Sequence, residues 1–388
     1  MSNLEACIVG VGTAGIFRHA TTSAVGLADV AVAEALDDCG LDRSAIDGLL
    51  VHIGSPRGAD YDTLARLLSV RVRFASQTWS HGRFMATVIQ HGALALSHGL
   101  ADFVLCIGAF RSTAFGNHGT TTFPDFGEAI RDGGGPHSED LAAGLAAPIG
   151  GAAMVTRQYL HKYGIDPSTL RVIAQGQREH ASRNPLAIKK DLISNEDYDN
   201  ASYVVEPLRV LDCSIPVDTA VAVVLTTHDR AVGLPQCPVR LLSFQGLSGG
   251  PQEYVFGPPG LGVNQVLNKA DPPVNRRVFE RAGLTPGDID ILHCYDGFTP
   301  QVLWTLERFG FAPAGEAAGW ITQEGIGIDA ELPVNTSGGN LSEGHTNGWG
   351  HLREIVLQLR GAAGTRQVAG CRTAMWATTF GDAIIYGN

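Results

Sequence analysis

The chain has no cysteine spacing that would hold a metal or a disulfide framework. Its seven cysteines (Cys7, Cys39, Cys106, Cys213, Cys237, Cys294, Cys371) are odd in number, scattered, and mostly set in apolar runs. Neither C-x-x-C nor a zinc-type His/Cys spacing occurs, so buried, reduced thiols in a cytoplasmic protein are expected, with no metal. Basic runs are missing too. Lys and Arg number 28 against 39 Asp and Glu, a formal net charge of −11, which disfavours a general nucleic-acid-binding role but not a local basic patch. No stretch approaches the roughly 18 apolar residues of a membrane helix. The N-terminus, MSNLEACIVGVG, lacks a charged n-region and a long apolar h-region, so no signal peptide is expected.

What is present suits a compact α/β enzyme. Hydrophobic residues make up 44% and charged residues 17%, with 48 glycines supplying turns. A length of 388 residues allows two or three domain-sized units. Ala6 to Val11 is a short apolar run, expected as a buried first strand. The Gly10-x-Gly12-x-x-Gly15 spacing superficially matches a dinucleotide fingerprint, but no helix start or distal ribose acid is placed as that motif requires.

Two stretches repeat one another. ALDDCGLDRSAIDGLLVHIGSP, Ala35 to Pro56, and VFERAGLTPGDIDILHCYDGFT, Val278 to Thr299, both read helix end, Gly-Leu, polar turn, Ile-Asp, strand. The separation exceeds two hundred residues, so duplicated halves are expected rather than a solenoid. A second pair agrees: the helix Phe84 to Gly99 leads to a strand at Phe103 to Ile107, and the helix Leu352 to Leu359 to one at Thr373 to Ala377. Such helix-to-strand connections predict parallel layers. The halves divide as 1–233 and 234–388. The first carries a Gly/Thr/Pro-rich loop excursion over about 115–151 and a helical region over about 152–200, its second helix capped by Asp166 or Ser168.

The richest stretch is Leu332 to Gly361, LPVNTSGGNLSEGHTNGWGHLREIVLQLRG. Gly338-Gly339 permits the positive φ of a tight turn. Leu352, Ile355, Val356 and Leu359 recur at spacings of three and four, a helix burying one face. Between them Glu343-Gly344-His345 can face a cleft.

Jointly, Ile8-Val9-Gly10-Val11-Gly12, His98 to Leu105, Leu211-Asp212-Cys213-Ser214, Tyr295-Asp296-Gly297-Phe298-Thr299 and the Val334-to-His345 loop resemble the thiolase superfamily, especially its sterol-carrier-protein type, over essentially the whole chain. The resemblance implies a thiolase fold: two α-β-α-β-α halves related by a pseudo-twofold, a loop domain in the first half, and a dimer. It also implies a CoA-thioester substrate, with CoA entering as part of that substrate and no tightly bound cofactor.

The departures decide the chemistry. In thiolases the nucleophilic cysteine opens the helix before the G-x-A-D turn, a position that falls at or near Gly82 here, and no cysteine lies between Cys39 and Cys106. The second thiolase cysteine sits in a C-x-G loop, which here reads Trp376 to Asp382 without cysteine. Thiolysis requires an activated thiolate, so a conventional thiolase is disfavoured. Tyr295 stands at the first position of the family's N-E-A-F or H-D-C-F motif, as in the thiolase-like aldolases of steroid side-chain degradation. Those work with a small DUF35-type OB-fold partner, here expected in trans. The implied reaction is retro-aldol cleavage of a β-hydroxyacyl-CoA, with Tyr295 and His345 sharing the base and acid roles in an order left open. Asp296, Gly338, Gly339 and Gly344 form the surrounding oxyanion region. Asp296 orients neighbours or caps the following helix, Asn335 stabilises the turn, His118 lies in the loop excursion, and at most one of His293 and Cys294 faces the cleft. The alternatives are a thiolase or acyltransferase with a non-standard nucleophile such as Cys213, and a non-catalytic acyl-CoA- or lipid-binding homologue.

Overall fold

The computed structural model describes residues 6–53, 60–78, 84–115, 148–246 and 276–388. Gly82, His81, His118 and most of the expected loop excursion, 116–147, lie outside the described residues.

Eleven strands are described: β1 (Ala6–Phe17), β2 (Gly48–Ile53), β3 (Phe74–Thr78), β4 (Phe103–Arg111), β5 (Tyr203–Val205), β6 (Leu208–Arg209), β7 (Asp218–Thr227), β8 (Val239–Gln245), β9 (Ile291–Cys294), β10 (Thr373–Ala377) and β11 (Ala383–Gly387). Nine of them form one sheet in the order β3-β2-β4-β7-β1-β8-β11-β10-β9, while β5 and β6 pair separately. The β1–β8 pair, Cys7 opposite Arg240 and Ile8 opposite Val239, joins the strands of the two halves. The expected parallel layers are found only at the flanks, where β2 pairs in parallel with β3 and β4, and β9 with β10. The middle of the sheet, β4 through β7, β1, β8, β11 to β10, is antiparallel, so the sheet is mixed. Only strands with a helical crossover between them run parallel.

The repeat read from sequence is visible in the pairing. As β3 lies parallel beside β2, so Val334 bridges in parallel to Leu292 of β9. The extended segment before the glycine turn is therefore a single bridge where the first half has a strand.

Alternating side chains of the strands feed three apolar cores. Leu105 and Ile107 of β4, with Val224 of β7, pack against Leu27, Ala31 and Val32 of the helix Ala24–Cys39. That helix is started by Ser23, whose hydroxyl accepts from Gly26 N–H, and stopped by Gly40 at φ 66°. Val104 and Cys106 face the other way, into a core shared with Met85 and Ile89 of the helix Phe84–Ser97, Leu352 and Ile355 of the helix Trp349–Leu359, and Trp376 and Tyr386 of the second half. Cys294, Met375 and Ile385 face a third core with the helices Pro148–Tyr163, Thr169–Ser182 and Pro300–Phe309. The order is helices, strands, shared helices, strands, helices. Gly108 lets the layers close: a Cβ there would lie 2.2 Å from Trp349 Nε1.

Several boundaries differ from the sequence reading. β1 runs on to Phe17, and the helix before Tyr163 starts at Pro148, inside the expected loop. Of the two expected caps Asp166 is the one that forms: its carboxylate accepts from Ser168 N–H at 2.8 Å in the turn leading into the helix, while the Ser168 side chain makes no cap bond. No helix of the described residues is long and apolar enough to cross a membrane.

Candidate active site

The site gathers where β9 and β10 end, the carboxyl side of parallel strands, where open α/β folds place their ligands. Tyr295 follows β9 directly and is locked to β10 by its N–H, which donates to Ala377 O at 3.0 Å. His345 arrives from the glycine turn, its N–H donating to Ile215 O at 2.7 Å. Ile215 N–H in turn donates to Asn340 O, and Ser214 N–H to Gly297 O. The 213–216 segment thus stitches the Tyr295 loop to the His345 loop. Fifty residues apart in sequence, the Tyr295 hydroxyl and His345 Nε2 lie 2.9 Å apart. The phenol is 6% exposed and the imidazole half-buried, so the pair opens outward through the histidine.

The turn is built by steric necessity. Asn335, Gly338, Gly339 and Gly344 all have positive φ, at 55°, 98°, 58° and 141°. Asn335 Oδ1 accepts from Cys294 N–H at 2.8 Å, the turn-stabilising part expected of it. A Cβ on Gly339 would lie 2.2 Å from Asp296 Oδ2, and one on Gly338 2.6 Å from Ala181 Cβ. The N–H groups of Gly338, Gly339 and Gly344 find acceptors within the turn, at Asn335 O, Ser337 Oγ and Gly339 O. These glycines therefore contribute shape.

Asp296 does not cap the helix that follows it. It is fully buried, and its Oδ1 accepts from Asn340 N–H at 3.0 Å and meets His351 Nε2 at 3.1 Å. Behind it runs a polar chain that reading the sequence missed. His351 Nδ1 lies 3.1 Å from His293 Nδ1, and His293 Nε2 lies 3.2 Å from Thr336 Oγ1. Thr336 adjoins Glu354, which Arg366 holds through two N–H groups at 3.0 and 2.8 Å. Neither His293 nor Cys294 faces the cleft; both are fully buried. Glu343 is buried as well, accepting from Asn184 and from the Ser337 hydroxyl, and burial pushes its carboxyl above the usual range. The signal available in the sequence was His351, Glu354 and Gln358, three polar residues at spacings of three and four on a helix whose other inward positions are mostly apolar.

Electrostatics separate the nucleophile candidates. Burial pushes the Cys213 and Cys371 thiols up to about 12, opposite to the direction an activated thiolate needs. Cys213 bridges to Phe298 through its backbone and donates from Sγ to Arg209 O, a structural role. Burial, and secondarily the Asp296 carboxylate, push the Tyr295 phenol above its ordinary value, so it holds its proton at neutral pH. The loop Trp376 to Asp382 is closed on itself by Thr378 N–H donating to Asp382 O and the Thr378 hydroxyl donating to Asp382 Oδ1. Among the described residues no cluster of His, Cys, Asp and Glu has the makings of a metal site.

A family profile described as thiolase C-terminal domain-like matches residues 265–383. The 17-hydroxy-3-oxo-4-pregnene-20-carboxyl-CoA lyase of Mycobacterium tuberculosis is 33% identical over 377 residues, covering 92% of each chain. A steroid side-chain-cleaving aldolase of Thermomonospora curvata is 31% identical over 373 residues, covering 92% of this chain and 91% of that one. Among solved structures, the Ltp2-ChsH2(DUF35) aldolase matches with a TM-score of 0.85 at 28% identity, covering 100% of this chain and 98% of that chain.

Proposed function

The chain belongs to the thiolase superfamily, and we propose that it is a carbon–carbon lyase that cleaves a β-hydroxyacyl-CoA by retro-aldol chemistry, with a steroid side chain as the acyl group. The observation that carries the assignment of roles is the 2.9 Å contact between the Tyr295 hydroxyl and His345 Nε2. With the imidazole neutral and its Nε2 lone pair toward the phenol, the substrate's β-hydroxyl gives its proton to the Tyr295 oxygen as the tyrosine proton passes to His345. The Cα–Cβ bond breaks, its electrons form the thioester enolate, and a ketone or aldehyde departs. The proton then returns from His345 through Tyr295 to Cα, releasing the shorter acyl-CoA. A relay of this kind never requires a free phenolate, which agrees with the raised proton affinity of the buried Tyr295. CoA takes part only as a portion of substrate and product.

The partners follow the same reading. A DUF35/OB-fold subunit in trans is supported by the assembly named for the structural relative. A homodimer is supported by β3, whose outer edge pairs with no described strand and so offers unpaired backbone groups to a second copy.

Tyr295→Phe tests the role assignment. The variant keeps the ring in its pocket and loses the hydroxyl, so kcat should fall about a thousandfold while the thermal unfolding midpoint stays near that of the parent. Near-parental turnover removes Tyr295 from the mechanism.

A further inference from the structure

The buried chain behind Tyr295 has a proton count that its geometry leaves switchable. Thr336 Oγ1 lies 3.2 Å from His293 Nε2, from Glu354 Oε1 and from Gln358 Nε2. The Gln358 amide donates to it, and a hydroxyl has one proton to give. That proton goes either to the imidazole or to the carboxylate.

If Thr336 donates to His293 Nε2, the order runs inward. His293 Nδ1–H donates to His351 Nδ1, and His351 Nε2–H donates to Asp296 Oδ1, with both imidazoles neutral. If Thr336 donates to Glu354 instead, His293 must donate from Nε2 to Thr336. Its Nδ1 then accepts from His351 Nδ1–H, while His351 Nε2 still faces Asp296. The second arrangement contains one proton more, held between His351 Nε2 and Asp296 Oδ1.

We propose that Asp296, His351, His293 and Thr336 form a proton store for the active site: rotation of the Thr336 hydroxyl admits one proton from solvent and turns the Asp296–His351 pair from singly negative to neutral beside Tyr295. These are positioning residues, acting on the Tyr295–His345 pair through charge, and the inference rests on that pair being the reacting one. Asp296 is the residue next to Tyr295, and its negative charge makes the phenol hold its proton more tightly. Neutralising it frees the phenol to pass that proton on.

The groups facing the chain favour this division. Burial drives the His293 imidazole well below its ordinary value, and His351, then His180 from the helix Thr169–Ser182, then Arg366 further disfavour a positive charge there. His293 is neutral in both arrangements. The Glu354 carboxylate is committed to Arg366 through two N–H groups, while Glu343, which burial makes readier to hold a proton, is bonded to Asn184 and the Ser337 hydroxyl rather than to the chain. Within the chain the extra proton therefore falls to the Asp296–His351 pair, where an imidazole meets a carboxylate. Every member of the chain is at most 1% exposed, so the proton once admitted is shielded from screening.

The test is histidine-¹⁵N NMR of the full chain across about pH 5 to 9, with kcat/KM profiles of the same samples, for the native protein, Thr336→Ser and Thr336→Val. Serine keeps the switching hydroxyl; valine keeps the shape and removes it. Native and serine proteins should show the His351 and His293 ring nitrogens titrating together, with one limb of the kcat/KM profile at the same midpoint. In the valine variant that midpoint should move by about one pH unit, with the kinetic limb following. Unchanged ring titration in valine overturns the proposal, as does a shifted titration that an active enzyme's kinetic limb ignores. Should the valine variant not fold, a native His293–His351 pair that fails to titrate anywhere in the range is equally fatal. A shifted titration in a protein that cleaves no β-hydroxyacyl-CoA supports the store and overturns the lyase reading.

Discussion

Gly339 shows at the scale of one residue why this turn tolerates no side chain. Its φ of 58° already disfavours any other residue, and a Cβ would lie 2.2 Å from Asp296 Oδ2. Asp296 cannot swing away, because its other oxygen is held by Asn340 N–H and His351. Gly361, at φ 70° with nothing within 4 Å of its Cβ position, has only the first constraint. Gly361→Ala should therefore cost about 1 kcal/mol, and Gly339→Ala about 3 kcal/mol or more, read from urea midpoints at constant slope. Equal losses would mean that Asp296 does not approach the turn as described. The need for glycine was legible in the Gly338-Gly339 doublet. That a carboxylate stands behind it was not, since Asp296 comes from a distant loop and its sequence neighbourhood suits a helix cap equally well.

At the scale of elements, the helix Trp349–Leu359 shows how far periodicity reaches. Leu352, Ile355, Val356 and Leu359 mark its apolar face, and all four are buried. Periodicity alone leaves Glu354 and Gln358 to solvent, yet both are 1% exposed. The helix lies between two layers of strands, so its polar positions are satisfied by Thr336 and by Arg366, which only the tertiary fold supplies. A neighbouring helix gives a pH prediction. His180, on Thr169–Ser182, is 1% exposed; Nδ1 contacts Asn335 O at 3.1 Å, and burial holds its proton affinity below the ordinary value. As pH falls below about 6.5, the unfolded chain takes up a proton there that the folded chain refuses, so native stability declines. Compared with His180→Gln, the native protein should lose up to about 1.4 kcal/mol per pH unit on acidification through that window. Parallel stability curves for the two proteins would show that His180 titrates alike folded and unfolded.

For the molecule as a whole, the duplicated halves were legible because the same helix-turn-strand grammar is spelled twice with different residues. The Leu292–Val334 bridge, echoing β2 beside β3, is the physical form of that repeat. The antiparallel middle of the sheet was not legible, because strand direction depends on connections rather than composition. The proposed reactive pair lay between these limits: Tyr295 and His345 were marked by family resemblance, while their 2.9 Å contact depends on the 213–216 segment that stitches their loops together. The central claim is that cleavage at this site needs no thiol, neither on the protein nor added as CoA. The most direct measurement is mass spectrometry of CoA products from purified protein, with and without a DUF35 partner, given β-hydroxyacyl- and β-ketoacyl-CoA substrates with and without free CoA. The predicted result is one shortened acyl-CoA plus a carbonyl compound from the hydroxy substrate alone, independent of free CoA. Cleavage of only the keto substrate, and only when free CoA is present, would contradict it.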